Sequence, residues 1–151
     1  MDTITRRIAD GLQYLDPTKS LLLLGAVRTS LAVAGAPTER IDARARTHEG
    51  QRFSFQAAFF CFATAQAESD GSLAYAMWPE QSSDIDCIFR RQAAGGTYDF
   101  EAVQLKEVPP QETAPAVSLE SLLQSQSRRY PDNRELRVGV YLNRDIVTAV
   151  D

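Results

Sequence analysis

Residues 3–15 place Ile4, Ile8, Leu12 and Leu15 at steps of four, four and three, one face of a short amphipathic helix. Asp16-Pro17 ends that pattern, and Ser20 stands where it can cap a second helix over 21–34, closed by Gly35 and Pro37. This second stretch is apolar nearly all round, which predicts a helix lying in the core. Thr38 is positioned to cap a short polar helix carrying Arg40, Arg44 and Arg46. Over 52–68, Phe53, Phe55, Phe59, Phe60 and Phe62 are mixed with five alanines, and the alanines and the length favour a buried helix over a strand.

After the turn Ser69-Asp70-Gly71-Ser72 the period changes. Residues 73–78, 85–90 and 98–108 read as strands, the last two joined by a hairpin-like connection containing Gly95-Gly96. Pro109-Pro110 ends the third strand. Ser118 caps a helix whose face is Leu119, Leu122 and Leu123, running to about Tyr130. Leu136, Val138, Val140 and Leu142 then alternate along a fourth strand. Helices, three strands, a helix and a strand predict an α+β (α/β) fold, a mixed sheet of about four strands with helices packed on it. The helix between the third and fourth strands predicts a crossover to a parallel partner.

A chain of 151 residues fits one domain, 1–151, divided here into a helical N-terminal part over 1–48 and a core over 49–143. The formal charge is −4, so nucleic-acid binding would need a local basic surface rather than a polycationic whole. Arg40, Arg44, Arg46 and Arg52, Arg90-Arg91 and Arg128-Arg129 are the candidates, against the alternative that they are solvated and paired with acids. No basic ribbon interleaved with aromatics is visible along the chain. Cys61 and Cys87 sit in apolar stretches and fit buried, reduced thiols better than a disulfide or zinc pattern. The chain opens Met1-Asp2-Thr3 with no charged-then-apolar leader, and the apolar run over 21–36 is broken by Arg28 and shorter than the ~20 residues of a membrane span. A cytoplasmic protein without a membrane partner is the expectation.

Three polar residues fall where an apolar sheet would not choose them: Asp86 in the second strand, Gln104 and Lys106 in the third. Alternation puts Gln104 and Lys106 on one face, and Asp84 and Asp86 likewise share a face. Adjacent antiparallel strands can then bring a carboxylate, a carboxamide and an ammonium to one spot. The alternative is that Asp84 and Asp86 mark a solvated strand start and Lys106 with Glu107 a solvated strand end. His48 is the single histidine, too little for a metal site.

Asp86 followed by Gln104-Leu105-Lys106 resembles the PD-(D/E)XK, or restriction-endonuclease-like, nuclease superfamily. The order of elements over 49–143 is similar to that fold's common core. Gln104 stands where Glu or Asp is usual; a Gln-x-Lys variant is found in the Mrr-like branch. The resemblance implies a metal-dependent phosphodiesterase acting on nucleic acid, DNA rather than RNA, with Mg²⁺ or Mn²⁺ held by Asp86, Gln104 and the Leu105 carbonyl. Asp86, Gln104 and Lys106 would be its catalytic residues. Asp84, or an acid of the preceding helix, Glu49 or Glu68, would be a further ligand. A divalent ion lowers the pKa of a water it holds and relieves charge on the phosphoryl oxygens, while Lys106 would orient the attacking water. Small nucleases of this kind often work as dimers, which makes a homodimer an expectation too. The other class of function is a catalytically silent domain of the same fold, used for binding or assembly. A third is a small α+β interaction protein of unrelated fold.

Overall fold

The structure, a computed structural model, describes residues 1–35, 49–79, 84–109, 114–130 and 135–142; the side chains of Arg28, Leu31 and residues 49–52 lie outside that description. The expected short helix with Arg40, Arg44 and Arg46, and His48, fall outside it as well. Four helices lie among the described residues, α1 Thr3–Asp10, α2 Pro17–Val33, α3 Glu49–Glu68 and α4 Leu119–Arg129. The strands are β1 Ala74–Met77, β2 Cys87–Gln92, β3 Tyr98–Val108 and β4 Leu136–Leu142.

The helix ends follow capping chemistry, and two differ from expectation for that reason. α1 starts because the Asp2 carboxylate accepts the amides of Ile4 and Thr5, and it stops at Gly11 rather than running to Leu15. Leu15 instead pairs its backbone with Tyr75 through bonds of 2.7 and 3.1 Å. α2 starts at Asp16-Pro17 rather than at Ser20. The Asp16 side chain accepts the Lys19 amide at 3.0 Å, and Pro17 occupies the first helical position, where a missing N–H costs nothing. α4 has the expected cap, made reciprocal: Ser118 and Ser121 each accept the other's amide at 3.0 Å.

The sheet has the order β1-β2-β3-β4, with antiparallel, antiparallel and parallel pairings. The hairpin between β2 and β3 turns through Ala94–Gly96, where Gly95 and Gly96 have φ of +78° and +77°, a conformation that excludes ordinary side chains. The parallel β3–β4 pair confirms the expected crossover through α4.

Alternation divides the side chains between two faces. On one, Tyr75, Cys87, Phe89, Val103 and Leu105 pack against Ala57, Ala58 and Cys61 of α3. The alanines let the helix sit close to the sheet, and Phe60 lies against Gly139 of β4. On the other face Ile88 and Ala102 pack against Ala9 of α1, with Leu12, Tyr14, Trp78, Phe100 and Leu136 around them. Both cysteines are free and buried in the first cluster.

α2 corrects the expectation of a core helix. It packs on α3, outside the sheet, so only part of its circumference is covered. Leu22, Leu23 and Val33 are 71%, 67% and 84% exposed. An apolar composition sets what a helix can bury, and its place in the layers sets what it does bury. Among the described residues no helix is long and apolar enough to cross a membrane.

Candidate functional site

β2 does not stop pairing at Cys87. The Asp86 amide donates to the Val103 carbonyl at 2.9 Å, and the Trp78 amide donates to the Asp86 carbonyl at 3.0 Å. The regular register ends with Cys87 opposite Val103, so Asp86, expected within the second strand, lies one residue before it. Gln104 pairs with Val138 of β4. Gln104 and Lys106 lie on the face turned away from α3, since Val103 and Leu105 between them belong to the α3 cluster.

The Asp86 carboxylate is held in place. Its Oδ2 accepts the Leu105 amide at 2.6 Å, a short charge-assisted bond at the point where β2 leaves β3. Because N–H and C=O of one strand residue point to the same edge, the Leu105 carbonyl faces the gap left by β2 as well.

Gln104 is 4% exposed. Its Nε2 donates to the Tyr130 hydroxyl at 3.3 Å, while its Oε1 is buried without a hydrogen-bond partner. An orphaned acceptor of this kind is uncommon, because leaving it unpaired costs about 1–3 kcal/mol. Tyr130 closes α4 and is also hydrogen-bonded to Asp84; burial and that bond push its phenol above the ordinary value. The Asp84 carboxylate accepts from Arg129 Nη2 at 2.5 Å. Lys106 is half-buried and makes no ion pair among the described residues.

Asp84, Asp86, Gln104 and Lys106 are thus gathered at the end of the sheet where β2 and β3 part. Glu68 is not among them. It sits on the α3 side, where its Oε2 accepts from Arg91 at 2.7 Å and its Oε1 from Arg137 at 3.0 Å. Arg137 also donates to Glu101 at 2.7 Å. These groups tie the end of α3 to β2, β3 and β4, a structural task. Glu49 is the first residue of α3, and its side chain lies outside the described residues.

Tyr130 was not foreseen as a site residue, and Arg129, a candidate for the basic surface, is instead paired with Asp84. Their place just before Pro131 reads as a helix end, and only the return of α4 over the sheet face brings them to Gln104 and Asp84. Arg91 is taken up by Glu68, and Arg90 stacks between the rings of Tyr14 and Tyr98 at 4.2 and 4.4 Å.

The donor chemistry is lean. No group of three or more His, Cys, Asp or Glu able to hold a metal occurs among the described residues. One carboxylate fixed by a backbone amide, one free carboxamide oxygen and one lysine remain. No family model, curated protein or solved structure matches the chain.

Proposed function

We propose that the protein is a metal-dependent phosphodiesterase of the restriction-endonuclease-like type acting on nucleic acid. The carrying observation is that the Asp86 carboxylate is bonded to the amide of Leu105, the chain neighbour of Gln104, whose Oε1 is buried and unpartnered. An orphaned hard oxygen next to a carboxylate fits Mg²⁺ or Mn²⁺, and magnesium accepts so few protein donors because it keeps several waters. Asp86, Gln104 Oε1 and the Leu105 carbonyl are the donors for it, with Asp84 as a further carboxylate. The ion supplies charge relief on a phosphoryl group and an acidified water. Lys106 places a cation on the same face as Gln104, where it orients a water and opposes developing negative charge. Tyr130 holds the Gln104 amide by its nitrogen, which leaves the oxygen free.

A second reading is favoured by a specific observation. Asp84 is already paired with Arg129, and Asp86 Oδ2 with the Leu105 amide, so the carboxylates have partners without a metal. A silent binding domain needs nothing more. Calorimetric titration with Mn²⁺ separates the two. The enzyme reading expects one site per chain that Asp86→Ala abolishes, and cleavage of labelled DNA that Lys106→Ala removes while the fold persists. Absence of Mn²⁺ binding, or an active Lys106→Ala protein, would overturn the enzyme.

A further inference from the structure

The face that carries Gln104 and Lys106 also carries, at the far end of β3, a second feature. An open cleft of about 540 Å³ lies between α1 and the β2–β3 hairpin. Arg6 and Arg7 of α1 line it, opposite Tyr98 and Phe100 of β3. Both arginines are exposed, and neither forms an ion pair among the described residues. Asp10 is the one acid in the lining. Two free guanidinium groups against one carboxylate leave the cleft basic in a chain whose formal charge is −4.

The aromatic wall is preorganised. Arg90 lies 4.4 Å from the centre of the Tyr98 ring and 4.2 Å from that of Tyr14. Tyr14 in turn packs on Phe100 with 6.0 Å between centroids, and its hydroxyl donates to the Ala9 carbonyl at 2.8 Å. Tyr98 is held by this stack and is still 41% exposed. A fixed, exposed ring beside unpaired arginines provides a platform for a planar base and cations for the phosphates next to it.

We infer that this cleft binds a segment of single-stranded nucleic acid, with phosphate oxygens on Arg6 and Arg7 and a base on Tyr98. An unstacked strand is the occupant because a ring offered from a cleft meets a base face only when that base has left its duplex stack. The inference deepens the nuclease reading and rests on it for its purpose. Phe100 and Gln104 are four residues apart on one strand, about 13 Å at the rise of a β-strand, which is within the span of a short oligonucleotide.

The test is fluorescence anisotropy of a labelled twelve-residue oligothymidylate, in EDTA so that metal binding and cleavage play no part. The expected result is salt-sensitive binding. Loss of two phosphate contacts in Arg6→Ala/Arg7→Ala should weaken it at least tenfold and reduce the slope of log affinity against log salt by about 1.4. Tyr98→Leu should weaken it by about tenfold with the slope unchanged. Thermal unfolding by circular dichroism checks that both variants fold. No binding by the parent protein, binding unchanged in the variants, or loss in the arginine variant alone with dextran sulfate competing equally well, overturns the inference; the last outcome marks a general polyanion site. Oligonucleotide binding that depends on these residues in a protein that takes up no Mn²⁺ upholds the cleft and overturns the nuclease. Mn²⁺ uptake at Asp86 with no oligonucleotide effect does the reverse.

Discussion

The Oδ2 of Asp86 accepts the backbone amide of Leu105 at 2.6 Å, so a side chain one residue ahead of β2 takes over the pairing of β3 where the main chain turns away. Leu105 is 6% exposed, so its amide has little access to solvent. Asp86→Ala should therefore lower stability by about 2 kcal/mol, the order of a lost charge-assisted bond that leaves a buried donor. Asp86→Asn, whose amide oxygen still accepts, should lose less. Urea denaturation of the two variants checks the order. Equal losses would show that the bond contributes nothing.

Gly139 is required by a neighbour rather than by its backbone angles. A Cβ there would lie 2.7 Å from Cδ1 and 2.8 Å from Cε1 of Phe60. Gly139→Ala should destabilise the protein by about 1–3 kcal/mol through overpacking. Combining it with Phe60→Leu should cost less than the sum of the two single changes, because the smaller side chain vacates the contact. Denaturation midpoints of the single and double variants provide the comparison.

Hydrogen bonds from Arg91, then Arg137, hold the Glu68 carboxyl below its ordinary value of 4.5. Bonds from Ser72 likewise hold Asp70 below 3.8. A depressed folded-state value adds stability above the unfolded value and loses it as pH falls through the folded one. Stability should therefore decline as pH drops below about 4.5, and Glu68→Gln should flatten that decline. At neutral pH the same variant should lose no more than about 1 kcal/mol, since the network is partly solvated. Unfolding midpoints between pH 2 and pH 7 test the sign.

Burial pushes the Cys61 thiol up to about 12 and raises that of Cys87 as well. Neither side chain is exposed. Both should react with a thiol reagent at pH 8 only after denaturant is added, because the thiolate is the reactive form. Prompt reaction in the native protein would contradict the packing of the α3 face.

Strand boundaries were legible along the chain wherever alternation met a punctuating residue. β3 runs over Tyr98–Val108 and β4 over Leu136–Leu142, as the alternation and Pro109 indicate. Ser118 likewise marks the start of α4. Asp16-Pro17 was less legible, because the same pair that breaks one helix caps the next.

Local chemistry therefore determined the elements, the hairpin and the sharing of one face by Gln104 and Lys106, since period, caps and glycine turns act over a few residues. Tertiary structure decided the rest. It left the apolar α2 outside the sheet layer and turned Glu68 to the opposite face from Gln104. It also joined Arg6 and Arg7 to Tyr98, some ninety positions away, in one cleft. Contacts between distant segments depend on how the layers close, and no spacing along the chain encodes that.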